Sequence, residues 1–265
     1  MAVVQRATLI FALLLLSGCC AQASSHSMRS LRNASLADER RADDSRVTAT
    51  RNEDRAPTRI AVGRGFLPNG RAIAGLSTRE CRRLLRESSV RFDPLPPREA
   101  PAIKDPLALR SSILGVQFGP ANGMAKNGVV DCRLAVALLA WAPILRDAGV
   151  VKVEHYSTFR PGARVRGTGK ASGHSHALAI DAARFYMRDG RELVILDDWD
   201  EREKGGAPCP VRRSEDDDGR VLRQVVCRAV ERDLFQVVIT PHHDRDHQNH
   251  VHLELVPGSN WSFIH

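Results

Sequence analysis

Histidines gather in one part of this sequence, in two groups that together offer the donors of a metal site. Eight of the ten histidines lie between positions 155 and 252. The first group holds His174 and, after six intervening residues, Asp181. The second group holds His247, His250 and His252. Because alternate residues of a β-strand face the same side, a strand here would direct His250 and His252 into one site.

The residue types in these groups indicate a zinc site with room for water. Two imidazoles and one carboxylate are typical of catalytic zinc, since they leave the fourth tetrahedral position open. Zinc held in this way polarises a carbonyl group and lowers the pKa of its bound water towards about 7. We therefore expect Zn²⁺ as the cofactor and hydrolysis as the chemistry.

The segments that must position these residues predict an α+β domain with a mainly antiparallel sheet and flanking helices. Asp181 falls in a predicted strand, and a loop before that strand brings His174 back beside it. Asp189-Gly190 is a two-residue hairpin signal between two apolar runs. The predicted strands are 150–157, 178–187, 193–196, 236–240 and 250–256.

Three helices and two irregular segments are predicted around this sheet. Ser77 and Glu80 form a capping-box pattern at the start of the first helix. The second helix begins after Asp131, is apolar nearly all round and stops at Gly149; Pro143 should kink it or end its regular part early. The third helix is predicted over 221–235. The proline-rich passage 93–105 should be irregular, and the acidic stretch 205–219 should be a surface insertion.

The order Ser-x-His-x6-Asp and, much later, His-x-His resembles the zinc D-Ala-D-Ala carboxypeptidases and murein endopeptidases (peptidase family M15). More closely, the chain from about 81 to 256 resembles the bacterial extensin-like C-terminal domain. The resemblance implies a peptidase-like fold, of the Hedgehog and D,D-peptidase type, over 61–265. The matching segments are Cys132, 155–157, 159–160, 172–181, 198–199, 227–235 and 247–252.

The resemblance also implies roles for individual residues. His174, Asp181 and His252 would be the zinc ligands. His250 would stay uncoordinated, stabilise the oxyanion or move a proton. Arg160 would bind a substrate carboxylate or the polarised peptide oxygen through its guanidinium fork. Two further residues come from chain position alone: His247 would orient His250 or line the substrate cleft, and Glu254, on the same strand face as His252, is a candidate hydrogen-bond partner of that ligand.

One departure from the peptidase pattern keeps more than one function open. Some of these carboxypeptidases carry a glutamate base three residues before the last ligand, and here that position is Asn249, so His250 would take a larger share of proton transfer. We expect a zinc-dependent peptidase acting on peptidoglycan peptides. The first alternative is a non-catalytic cell-wall-binding or envelope-structural domain that keeps the zinc site. The second is a zinc reservoir, which would not depend on Arg160.

The N-terminus predicts export and a lipid anchor. An apolar run over 9–16, too short to span a bilayer, follows Arg6 and ends in Leu-Ser-Gly-Cys, which resembles a lipobox. We expect a signal peptide over 1–18, lipidation of Cys19 and a flexible tether over 19–60 that is too polar to fold. The alternative is ordinary cleavage a few residues later. Cys20 is not the aspartate that signals inner-membrane retention, which favours the outer membrane, with the domain facing the periplasm.

Export also governs the interpretation of the cysteines and of the charge. Cys81, Cys132, Cys209 and Cys227 allow three pairings in an oxidising compartment, and we favour Cys81–Cys132 with Cys209–Cys227 because each pair is local. The net charge of +8 comes from scattered arginines. With two Tyr and three Trp, the exported chain is not expected to bind nucleic acid.

Overall fold

The structure, a computed structural model, describes residues 60–62, 65–121, 128–199, 207–209 and 216–265. All of them fall within one unit, Ala49–His265. The predicted signal peptide, Cys19 and, except for Ile60, the tether lie outside the described residues. So does most of the predicted insertion 205–219. These features stay predictions.

Twelve strands and five helices make up the described part of the chain. The helices are α1 Gly70–Ala74, α2 Thr78–Glu87, α3 Cys132–Asp147, α4 Ile195–Asp198 and α5 Asp217–Glu231. The first six strands are β1 Ile60–Val62, β2 Gly65–Leu67, β3 Phe92–Pro94, β4 Pro106–Leu109, β5 Gln117–Pro120 and β6 Val129–Asp131. The other six are β7 Val150–His155, β8 Ala179–Met187, β9 Glu192–Val194, β10 Val237–Ile239, β11 Val251–Glu254 and β12 Phe263–Ile264.

The largest sheet has seven strands and carries the predicted site. Its order is β12-β10-β11-β8-β7-β5, and β9 also pairs with β8. The pairs β10–β12 and β5–β7 are parallel, and the other pairs of this sheet are antiparallel. Smaller sheets contain β1–β2 and β3–β4–β6. The α+β class is therefore confirmed, with sheets that are antiparallel and mixed.

Helix α3 is the buried helix that the sequence predicts. The Asp131 carboxylate accepts a hydrogen bond from the Arg133 amide at 2.9 Å and caps its first turn. Pro143 does not end the helix early, because α3 continues to Asp147. The buried Trp141 donates from Nε1 to the Val225 carbonyl at 3.0 Å, which ties α3 to α5.

Two disulfides join elements around α3 and α5, in the pairing that the sequence favours. Cys81 of α2 is bonded to Cys132 at the start of α3, and both are fully buried. Cys209 is bonded to Cys227 of α5. The predicted capping box at the start of α2 is also present, since Ser77 and Glu80 exchange hydrogen bonds at 3.3 and 3.1 Å.

Several predicted boundaries were wrong. The hairpin between β8 and β9 has a three-residue turn, 188–190, because Met187 N donates to Arg191 O. The strand predicted over 193–196 ends at Val194, where the Asp198 carboxylate accepts from the Val194 amide at 2.6 Å and helix α4 begins.

Two other boundaries shift for the same kind of local reason. Helix α5 begins at Asp217, four residues earlier than predicted, because the Asp216 carboxylate caps it by accepting from Gly219 N at 2.7 Å. It ends at Glu231, ahead of Asp233 at φ 56°. The proline-rich passage predicted to be irregular begins with the end of β3, which pairs with β4.

Among the described residues, no helix is both long and apolar enough to cross a membrane.

Candidate metal centre

Two neighbouring strands and one short turn bring the predicted ligands together. Antiparallel strands β8 and β11 place Asp181 directly opposite His252. Residues opposite each other have Cβ atoms about 5 Å apart, so both side chains enter the same space. His174 lies in a 3-10 turn, Gly173–His176, that follows Ser172. Ala177, at φ 52°, then reverses the chain into β8, as the predicted return loop requires.

The three donor atoms form a small, nearly equilateral triangle. His174 Nε2 is 2.9 Å from Asp181 Oδ1 and 3.2 Å from His252 Nδ1. His252 Nδ1 is 3.0 Å from Asp181 Oδ1. All three residues are buried, and they are the group of described side chains whose spacing suits a metal ion. Two ligand atoms about 2.0–2.1 Å from a tetrahedral zinc lie about 3.3 Å apart, so the triangle is close to the size that zinc needs.

Hydrogen bonds behind the two imidazoles fix which nitrogen faces the triangle. His174 Nδ1 donates to the Thr158 carbonyl at 3.3 Å, which leaves the Nε2 lone pair towards Asp181. His252 Nε2 donates to Glu254 Oε2 at 2.9 Å, which leaves the Nδ1 lone pair of His252 directed towards Asp181 Oδ1. Three electron pairs that face one another at these distances repel unless a cation lies among them. The donor set therefore fits a bound metal.

When no metal is bound, the pKa values of the three residues indicate that a proton on His252 supplies the positive charge among their donor atoms. Burial would lower the pKa of His252, but hydrogen bonds with Asp181 and Glu254 raise it to about 9. Burial lowers the pKa of His174. Burial would raise the pKa of Asp181, but its hydrogen bonds with both imidazoles hold it well below the usual value. Asp181 is therefore a carboxylate, and His252 carries the positive charge that a metal would replace.

Residues of the segment after β7 contact the second carboxylate oxygen of Asp181, Oδ2. Ser157 Oγ donates to Asp181 Oδ2 at 3.0 Å. Arg160 lies 3.7 Å from the same oxygen, and 56% of its side chain is exposed. Arg160 is thus at the site and still open to solvent, where it can bind a second anion.

His250 lies beside the predicted ligands, although it does not belong to strand β11. β11 begins one residue later than predicted, at Val251. His250 Nδ1 lies 2.9 Å from Asn249 Oδ1, and Nε2 lies 3.4 Å from Asp181 Oδ1. Burial lowers the pKa of His250 to about 4, so its ring is neutral at pH 7. The exposed Tyr156 ring packs edge-on against it, with centroids 5.9 Å apart.

His247 lies in an outer position, as a neighbour of His250. Their ring centroids are 5.2 Å apart, and Asp244 Oδ1 accepts from His247 Nδ1 at 2.6 Å. The exposed His176 instead donates to the Ala102 carbonyl at 2.7 Å. His155 is 2% exposed, and its Nδ1 has no hydrogen-bond partner among the described residues. Burial lowers the pKa of His155 to about 4.

Sequence reasoning missed the hydrogen-bond partners of the predicted ligands in the segment that follows β7. Ser157 and Thr158 carry no metal-binding group, so no spacing rule selects them. Their proximity depends on backbone hydrogen bonds that continue past the end of β7: Tyr156 N donates to Asp181 O, and Asp181 N donates to Ser157 O. The Asp244–His247 pair was also missed, although Asp at the cap of a turn is a recognisable signal.

The described part of the chain is thus an α+β domain with a buried His-Asp-His cluster beside the central strands β8 and β11 of its largest sheet. The chain belongs to the family described as extensin-like protein C-terminus, whose model matches residues 79–264. The match includes every residue of the cluster and also Arg160 and His250. No curated protein and no solved structure matches the chain.

Proposed function

We propose that this chain is a zinc-dependent peptidase that cleaves peptidoglycan peptides, of the D,D-carboxypeptidase or endopeptidase type. The observation that carries the proposal is the triangle of His174, Asp181 and His252, whose lone pairs converge within 3.2 Å. The resemblance of the sequence to M15 zinc peptidases supports the same conclusion, and on that resemblance we also propose that the domain has a peptidase-like fold. Zinc, when bound by these residues, would supply Lewis acidity towards a carbonyl oxygen and a water molecule.

The positions of the chain's own groups beside this cluster support the proposal of hydrolysis. His250 is neutral at pH 7, and its Nδ1–H is directed to Asn249, so Nε2 keeps a lone pair towards the site. Nε2 can therefore accept the proton of the attacking water and pass it to the leaving amine. Asn249, which replaces a glutamate base, would serve here by orienting His250.

Arg160 would bind the substrate. Its guanidinium lies within 4 Å of Asp181, and its side chain is more than half exposed, so Arg160 can pair with a substrate carboxylate while the peptide lies over the cluster. We also propose that Cys19 carries a lipid anchor in the outer membrane, which would place the domain in the periplasm beside peptidoglycan. Two acyl chains or more are needed for stable anchoring of this kind.

A non-catalytic cell-wall-binding domain is the second candidate, and Asn249 is the observation that favours it. An amide at the position of the glutamate base does not accept a proton, whereas binding tolerates it. The two candidates differ in turnover and not in metal content.

Digestion with and without a chelator tests the peptidase directly. Zinc-loaded chain should release fragments from peptidoglycan, or D-Ala from a D-Ala-D-Ala peptide, and a chelator should stop the release. His250→Ala should keep zinc and lose about 100-fold or more in turnover, whereas the control His176→Ala should keep both. Zinc-loaded, folded chain that releases nothing from several wall types would favour the binding domain. Normal turnover in His250→Ala would contradict the role of His250.

A further inference from the structure

The segment between the substrate arginine and the first ligand is cationic and lies at the edge of the site. Between His155 and Ile180 the chain contains four cations and no Asp or Glu. The four cations are Arg160, Arg164, Arg166 and Lys170, and all are exposed. We call residues 160–171 the cationic arm.

Hydrogen bonds hold the cationic arm in a defined shape. Val165 N donates to Lys170 O at 2.8 Å, and Arg164 pairs with Ala171 in an antiparallel bridge. Gly167 and Gly169, at φ 82° and 65°, form its tip. The arm is thus a short hairpin-like loop whose shape is set by backbone contacts.

The base and the tip of the cationic arm each contact a segment that carries site residues. At its base, Arg160 N donates to the carbonyl of the ligand His174 at 2.9 Å. Towards its tip, Arg166 pairs with Asp246 at 2.8 Å. Asp246 belongs to the 3-10 turn Arg245–His247, whose last residue packs beside His250. The arm therefore forms part of the rim of the site.

Two cations of the arm have no carboxylate partner in the described part of the chain. Arg164 donates to the Gly169 carbonyl at 2.7 Å, a contact that leaves its charge uncompensated. Lys170 forms no ion pair with any described residue. A fixed loop that presents unpaired positive charge at the rim attracts an anionic ligand and fixes its orientation.

We propose that the cationic arm is a substrate-recognition element for an acidic peptide, and that Arg164 and Lys170 pair with carboxylates near the bond over the cluster. The proposal rests on the proposed function and narrows its substrate to the carboxylate-bearing form of the wall peptide, as opposed to the amidated form. Arg160 and the two unpaired cations would contact successive carboxylates of one extended chain.

Peptide affinity, measured on a full-length variant that does not hydrolyse the peptide, tests the cationic arm independently of peptidase activity. Zinc-loaded His250→Ala would be titrated against a fluorescent acidic peptide and against the same peptide with amidated carboxylates, with anisotropy as the readout. When Arg164→Gln and Lys170→Gln are introduced into His250→Ala, the affinity for the acidic peptide should fall about three- to tenfold, and the affinity for the amidated peptide should stay unchanged. The preference should disappear near 1 M salt, where the Debye length is about 3 Å.

The matched control removes two exposed arginines from elements that contribute nothing to the site. Arg79→Gln with Arg98→Gln should leave both affinities unchanged. Equal affinity for the two peptides, or an equal loss in the control, would overturn the inference even if the chain hydrolyses peptidoglycan. Charge-dependent binding of the acidic peptide by a chain that hydrolyses nothing would support the arm and contradict the peptidase.

Discussion

Glu254 and Gly173 face each other beside the proposed ligand His252, and their close approach explains why a residue without a Cβ atom precedes His174. The Glu254 carboxylate accepts from His252 Nε2 at 2.9 Å. A Cβ atom at position 173 would lie 2.5 Å from Glu254 Cδ. Gly173 therefore leaves the space in which Glu254 holds His252 in the tautomer that metal binding would require.

Gly173→Ala should lower zinc affinity about 10- to 100-fold, because it displaces Glu254 from His252. Glu254→Gln should weaken zinc binding as well, since an amide polarises the ring less. Competition with a chromophoric chelator measures both affinities. Gly119→Ala is the control, because a Cβ there would meet nothing within 4 Å. Wild-type affinity in Gly173→Ala would mean that Glu254 does not support the ligand.

At the scale of the element, the two disulfides differ in what they constrain. Cys81–Cys132 links α2 to the buried helix α3 across 51 residues, whereas Cys209–Cys227 spans 18 residues. A longer closed loop restricts the unfolded chain more, which gives about 4 kcal/mol for the first bond and about 3 kcal/mol for the second.

Cys81→Ala with Cys132→Ala should therefore lower the free energy of unfolding more than Cys209→Ala with Cys227→Ala. Urea unfolding of the two double variants, compared with wild type, measures the difference. Zinc content should stay the same in both variants, because neither pair touches the cluster. A smaller loss in the first variant than in the second would contradict the assigned order.

The elements also show where sequence reasoning succeeds. Strand β7 is predicted from alternation, β8 from its apolar run before the Asp189-Gly190 hairpin signal, and α3 from its Asp131 cap and apolar run. Helix α5 starts early because the Asp216 carboxylate caps it, and β9 ends early because the Asp198 carboxylate accepts from the Val194 amide; apolar periodicity marks neither contact. The register that sets His252 opposite Asp181 is a long-range pairing, which strand patterns alone leave undetermined.

At the scale of the whole molecule, the buried His155 makes stability depend on pH. Its pKa is about 4 in the folded chain, because burial disfavours its charge, against 6.5 when unfolded. The folded value is the lower one, so this stability is present above pH 6.5 and is lost as pH falls through 4. About 2 kcal/mol should be lost between pH 7 and 5.

His155→Gln should lose less stability over that range than wild type. Urea unfolding at several pH values, with chelator present throughout, isolates the difference from metal release. Equal pH dependence in the two proteins would show that His155 does not carry this effect.

The metal content of the purified chain tests the His174–Asp181–His252 site most directly. Elemental analysis should find about one zinc ion per chain, and X-ray absorption should show nitrogen and oxygen ligands without sulfur. Asp181→Asn should lose the zinc, and the exposed control Asp197→Asn should retain it. Folded wild-type chain without zinc after exposure to it, or full zinc content in Asp181→Asn, would contradict the assigned site.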